Sequence, residues 1–264
     1  MSWPLAANLS LLFTELPLLA RIDAARQAGF AGVEIQFPYE TPADELAAAL
    51  SDAQLPLVLI NLPAGDFMQG GAGLAAVPGR QAEFDAALAQ ALRYAAVARP
   101  ERINVLPGRL AADVQRPAAL SCLVTNLRRA ADAFAELGIR VCCEAINRLD
   151  MPGFLVSGAA ELAELVADVN HPNCLAQLDL YHMARLGEVL PESIASLAGR
   201  VGHVQFADAP GRGAPGTGAI DYTSALAALQ QTGYQGWLAA EYRPAGQTSD
   251  ELQWLAQWRR AGWI

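Results

Sequence analysis

Four short apolar runs in this chain each carry one oxygen-bearing side chain towards their C-terminal end. They are Arg140-Val-Cys-Cys-Glu-Ala-Ile-Asn147 with Glu144, Leu175-Ala-Gln-Leu-Asp-Leu-Tyr-His182 with Asp179, Gly202-His-Val-Gln-Phe-Ala-Asp208 with Gln205, and Gly236-Trp-Leu-Ala-Ala-Glu-Tyr242 with Glu241. A charged group on a buried strand is costly unless it is paired, hydrogen-bonded or bound to a metal. Four converging oxygen ligands make a site for a hard divalent cation, Mg²⁺ or Mn²⁺ rather than Zn²⁺. A single polar residue at a strand mouth needs only a loop hydrogen bond. Four on successive strands point to a site.

Other residues gather around these runs. His182, three residues after Asp179, is placed to hydrogen-bond a substrate oxygen. Arg212 follows the Gln205 run and Arg80 closes a long loop, and either could hold an anionic group. Glu34, Asn61 and Asn104 end earlier runs, where each lines the pocket mouth or only hydrogen-bonds a loop. His203 reads as a core or supporting residue one layer below Gln205, and His171, before Pro172, as a solvated turn residue.

The elements that must position them alternate. Strands are predicted over 5–13, 32–37, 56–62, 102–106, 140–147, 175–182, 202–208 and 236–242. Helices are predicted over 16–28, 42–53, 80–98, 117–137, 159–169, 191–197, 222–231 and 251–260, with Gly29 and Gly138 as stops. Gly-rich segments at 63–79 and 210–218 lack the order and the lysine of a phosphate-binding loop. Eight βα units over 264 residues fit one α/β domain spanning 1–264, a (β/α)₈ TIM barrel, whose C-terminal strand ends carry the chemistry. An open doubly wound sheet would want a glycine fingerprint after the first strand, and Asn8-Leu-Ser-Leu-Leu-Phe13 has none.

Composition narrows the chemistry further. All 18 basic residues are arginine, which excludes a lysine Schiff base. A net charge of −9, with no basic block, disfavours nucleic acid as a partner. Cys122, Cys142, Cys143 and Cys174 form no C-x-x-C pair and read as reduced residues of a cytoplasmic protein. No apolar run reaches membrane-spanning length, and no basic leader with a cleavage site opens the chain.

At these residues the chain resembles the hydroxypyruvate isomerase family, within the xylose-isomerase-like TIM barrels. The resemblance runs through Ala7-Asn-Leu-Ser10, Gly32-Val-Glu34, Asn61-Leu-Pro-Ala-Gly-Asp66, Pro78-Gly-Arg80 and Glu144-Ala-Ile-Asn147 with Pro152-Gly-Phe154. It continues through Gln177-Leu-Asp-Leu-Tyr-His182, Gly202-His-Val-Gln205, Arg212-Gly-Ala-Pro-Gly-Thr-Gly218 and Glu241-Tyr242. It implies that Glu144, Asp179, Gln205 and Glu241 bind the metal and that Glu144 and Glu241 also carry the proton. It further implies a small 2-keto acid substrate, held at its carboxylate by Arg80, Arg212 or His182. Related ketose epimerases carry His where Gln205 stands, which argues for the isomerase subgroup. The 2-oxo-tetronate isomerases share most of these motifs. Asn61-Leu-Pro-Ala-Gly-Asp66 is more like the hydroxypyruvate enzymes, whereas Thr14-Glu-Leu-Pro17 leans the other way.

The implied reaction interconverts hydroxypyruvate and tartronate semialdehyde by proton transfer between adjacent carbons, with a metal stabilising the developing negative charge. Which glutamate is base and which is acid, the substrate's chain length and whether the chain forms a homo-oligomer stay open. A barrel endonuclease for abasic DNA would need many histidines, and this chain has three. A non-catalytic sugar-binding barrel would lack one of the two glutamates, and both are present.

Overall fold

The strands close on themselves in chain order. In the computed structural model, which describes residues 2–264, β1 (Leu5–Asn8), β2 (Gly32–Ile35), β3 (Leu57–Asn61), β4 (Arg102–Asn104), β5 (Arg140–Glu144), β6 (Cys174–Asp179), β7 (Val201–Phe206) and β8 (Leu238–Ala240) form a closed parallel barrel. Around it run α1 (Leu18–Ala28), α2 (Ala43–Ala53), α3 (Gln81–Ala98), α4 (Arg116–Ala135), α5 (Ala159–Val169), α6 (Leu180–Arg185), α7 (Leu190–Ser196), α8 (Tyr222–Gln231) and α9 (Gln253–Arg260). The (β/α)₈ expectation holds. Among the described residues no helix is long and apolar enough to cross a membrane.

The main core fills the space between barrel and helices, from Ile22 and Phe30 to Phe84, Phe134 and Trp258. A smaller cluster of Ala6, Val58, Leu59 and Ala239, with Trp237 against it, occupies the lower barrel. A Cβ at Gly32 would lie 2.7 Å from Val58 and 2.8 Å from the Trp237 ring, so only glycine lets the strands approach there. Glu144 and Asp179 are the last residues of their strands, and Asn8, Asn61 and Asn104 end β1, β3 and β4.

Strand ends are where the expected boundaries fail. The chain leaves β1 at Asn8, because the Asn8 side chain accepts the N–H of Ser10 (3.0 Å) in a local turn. The sixth strand stops at Asp179 rather than His182. Asp179 accepts the Tyr181 N–H at 2.8 Å, caps α6 and starts a helix that the apolar pattern had merged into the strand. Helices begin slightly late after Pro17 and after the 3₁₀ turns Pro78–Arg80 and Thr248–Glu251.

The loop after β7 is built on one side chain. Asp208, 1 % exposed, accepts the N–H groups of Ala209 (2.9 Å) and Ile220 (3.0 Å) on one oxygen and of Gly216 (2.8 Å) on the other. Any Cβ at Gly218 would fall 2.1 Å from the Ala209 carbonyl oxygen. This loop carries Arg212 over the barrel mouth. Asp208→Ala strands three backbone donors, and we expect it to cost on the order of 1.5–3 kcal/mol in denaturant unfolding. An unchanged stability would show that the loop does not depend on this carboxylate.

Candidate active site

Glu144, Asp179, Gln205 and Glu241 stand side by side at the C-terminal ends of β5 to β8, each at most 5 % exposed. They surround the floor of a cavity of about 340 Å³, walled by Phe37, Asn61, Phe67, Leu106, Ile146 and Met151 among others. Asp179 lies just beneath that lining. Glu144 and Glu241 are hydrogen-bonded by neighbouring side chains. Glu144 Oε2 accepts from Asn104 and Gln177, both at 3.0 Å. Glu241 Oε1 accepts from Asn8 and Gln36 at 2.9 Å, and its Oε2 takes the Arg212 guanidinium at 2.5 Å. Gln205 accepts from Gln177 (2.6 Å) and donates to Glu34 (2.6 Å).

The electrostatics follow from so many buried acids in one place. Burial first, then the neighbouring Glu241 and Asp179, push the Glu144 carboxyl well above the ordinary range. Burial also raises Asp179, against the pull of Arg212. Glu241 is raised by burial to about 7, with Arg212 holding it down. Burial, reinforced by Arg212, drives His182 down to about 3, so its imidazole is neutral at physiological pH. Burial opposes the charge on Arg212, but Glu241, Asp179 and Glu144 outweigh it and keep the guanidinium ionised.

These residues fit a hard cation. Asp179 Oδ2 is buried with no hydrogen-bond partner, and Asp179 and Glu241 share one guanidinium. Donor atoms of Glu144, Asp179 and His182 lie within 4.8 Å of one another. The four-oxygen set read from the sequence is gathered at the same place, but Gln205 and Glu241 are engaged. Arg212 would have to release Glu241 Oε2, and Gln177 the Gln205 oxygen, for those atoms to face a cation.

The remaining sequence candidates divide. Arg212 enters the cavity, with its guanidinium carbon 5.1 Å from the centre of the Tyr181 ring. His182 and Asn61 line the cavity too. Arg80 does not: it pairs with Asp66 (2.8 Å) and Glu83 (2.6 Å) and ties down the loop after β3. Glu34 is not at the mouth either. Fully buried, it accepts from Asn8 (2.8 Å), Gln205 (2.6 Å) and His203 Nε2 (2.7 Å), which makes His203 a supporting core residue. His171 sits in a surface turn, its Nε2 3.0 Å from the exposed Asp132 carboxylate.

Sequence reasoning passed over Asn8, Gln36, Gln177 and Arg243. Arg243 lines the cavity rim, two residues beyond Glu241. Gln177 had a visible signal, since it lies two positions before Asp179 and therefore faces the same way.

Comparison with known proteins gives the chain's relatives. The family model described as xylose isomerase-like TIM barrel matches residues 22–258. Hydroxypyruvate isomerase of Escherichia coli is 40% identical over 254 residues, covering 96% of this chain and 98% of its own. The 2-oxo-tetronate isomerase of Pectobacterium atrosepticum is 38% identical over 253 residues, covering 96% and 97%. A crystal structure from Brucella melitensis, described as an AP endonuclease of family 2, superposes with a TM-score of 0.92 at 38% identity, covering 98% and 99%.

The raised carboxyls carry a prediction about metal and pH. A carboxyl that holds its proton more tightly folded than unfolded makes the metal-free protein less stable as pH rises between the two values. For Glu241 that window runs from 4.5 to about 7. A cation binds the ionised forms, so its stabilising effect should grow across the same window. We expect the gap in Tm between Mn²⁺ and EDTA to be wider at about pH 7.5 than at about pH 5. A gap that is absent, or wider in acid, would contradict a cation held by these acids.

Proposed function

The chain belongs to the xylose isomerase-like TIM barrel family and is an isomerase, and we propose that the pair it interconverts is hydroxypyruvate and 2-hydroxy-3-oxopropanoate. The observation that carries this reading is the placing of two buried glutamates, Glu144 and Glu241, on one small cavity together with an ionised arginine. The reaction needs little more from the protein. A proton leaves the hydroxymethyl carbon of hydroxypyruvate, another is delivered to the adjacent carbon, and the hydroxyl and carbonyl exchange places.

Glu144 and Glu241 are the proton carriers in this reading: one removes the carbon-bound proton and the other returns one to the neighbouring carbon. Burial supports the role, because a carboxyl raised towards neutrality accepts and releases protons near the working pH. Arg212 meets the substrate carboxylate with whatever donors its bond to Glu241 leaves free, and a guanidinium fork matches a carboxylate. Apolar walls from Phe37, Phe67 and Ile146 exclude water from the reacting atoms. A divalent cation, Mg²⁺ or Mn²⁺, held by Glu144, Asp179, Gln205 and Glu241 would supply Lewis-acid stabilisation of negative charge on the substrate oxygens.

A net charge of −9 supports a small-molecule substrate over a nucleic acid. Four free cysteines support a cytoplasmic setting. Assays by NMR should compare hydroxypyruvate, a 2-oxo-tetronate and a neutral ketohexose. Faster turnover of the four-carbon acid would move the assignment to the 2-oxo-tetronate enzymes, and faster turnover of the ketohexose would move it to an epimerase.

Glu144→Gln and Glu241→Gln keep an oxygen at each position but no proton carrier, so each should lose roughly 10²–10⁴-fold in kcat. A loss confined to KM in either variant would remove that residue from proton transfer. Arg212→Ala should weaken hydroxypyruvate by on the order of 1.5–3 kcal/mol. Arg80→Ala, whose partners are Asp66 and Glu83, should leave kcat/KM intact.

A further inference from the structure

His182 points Nε2 into the site, 3.5 Å from Asp179 Oδ2 and 3.8 Å from Glu144 Oε1. Which ring nitrogen carries the proton therefore decides what the site offers there: a hydrogen-bond donor, or a lone pair able to ligate a metal. The other nitrogen settles it. Nδ1 lies 2.7 Å from Nδ2 of Asn147, which is fully buried.

The Asn147 amide cannot be turned over. Its Oδ1 accepts the backbone N–H of Asp150 at 2.8 Å, and its Nδ2 donates to the Asp150 carboxylate at 3.0 Å. Reversed, the amide would set oxygen against carboxylate and N–H against N–H. Asp150 is itself fixed by the Tyr181 hydroxyl at 2.5 Å and by Arg185 Nε at 3.4 Å. An amide N–H that faces Nδ1 requires a lone pair on Nδ1. A neutral ring with that lone pair carries its proton on Nε2.

We infer that Asn147, locked by Asp150, is a positioning residue that holds His182 as its Nε2–H tautomer, making it a hydrogen-bond donor to a substrate oxygen and keeping it out of metal coordination. The donor aims at the gap between Glu144 and Asp179, where an oxygen gaining negative charge during proton removal would be stabilised. Nε2 would then offer no lone pair to a cation held by Glu144 and Asp179. The substrate oxygen rests on the isomerase reading above; the tautomer does not.

The test uses full-length enzyme labelled with ¹⁵N-histidine. Three histidines give few signals, and loss of one set in His182→Gln assigns the residue. We expect a protonated Nε2 and a bare Nδ1 at neutral pH, both without metal and with saturating Mg²⁺. Asn147→Asp puts an acceptor beside Nδ1, so Nδ1 should gain a proton. Asn147→Ala should lower kcat/KM by about tenfold, the worth of one hydrogen bond. A proton on Nδ1 in the wild type, an Nε2 that loses its proton to Mg²⁺, or an Asn147→Ala enzyme with full kcat/KM would overturn the inference. The wild-type spectrum decides the tautomer even if both variants fail to fold. A wild type with the expected tautomer that turns over no 2-keto acid would overturn the substrate role and the proposed function, and leave the tautomer standing.

Discussion

Four carboxylates, Glu34, Glu144, Asp179 and Glu241, are buried within one end of the barrel, and that constraint organises everything around them. Charges in a low-dielectric interior have to be answered by partners or given up by protonation. The chain answers with one guanidinium and a layer of neutral amides. Asn8, Gln36, Asn104, Gln177 and Gln205 all direct N–H groups at these acids. Amides lend partial charge without cancelling the field, so the acids stay electron-rich and the site retains a deficit of positive charge.

The layer also explains why the acids differ in chemistry though all are carboxylates. Glu34 has its oxygens filled by Asn8, Gln205 and His203, and reads as scaffold. Glu241 is shared between amides on one oxygen and Arg212 on the other. Asp179 spends one oxygen on capping α6 and has the other unpartnered. Position in the network, more than residue type, sets how many oxygens each acid has left to offer.

Much of this was legible in the sequence. Alternating apolar runs and glycine stops announced the barrel, and a lone acid on each of three runs marked the floor of the site. What escaped were features whose meaning depends on a partner far away in the chain. Arg80 and Arg212 look alike as loop arginines, and only folding gives one to Asp66 and Glu83 and the other to Glu241. Glu34 ends its run as the other acids do, yet the barrel turns it beneath the pocket. The start of α6 was hidden because Asp179 is both a strand end and a helix cap, and periodicity cannot divide one residue between two elements. Amides such as Asn8 and Gln177 gave little signal, since their role is to serve charges on other strands.

The tryptophans have a distribution of practical consequence. Trp254, Trp258 and Trp263 pack edge to face around α9, with ring centroids 4.9 and 5.8 Å apart. The backbone N–H of Trp3 reaches the Trp263 carbonyl at 2.7 Å, and the Trp237 ring abuts Gly32 at the far end of the barrel. None of the five lines the cavity that holds Glu144 and Glu241. Intrinsic fluorescence of this protein is therefore an optical gauge of how the first and last segments are sewn together, nearly blind to what occupies the mouth. Emission changes on heating will report the seam parting, and a ligand that leaves the spectrum untouched has not thereby failed to bind.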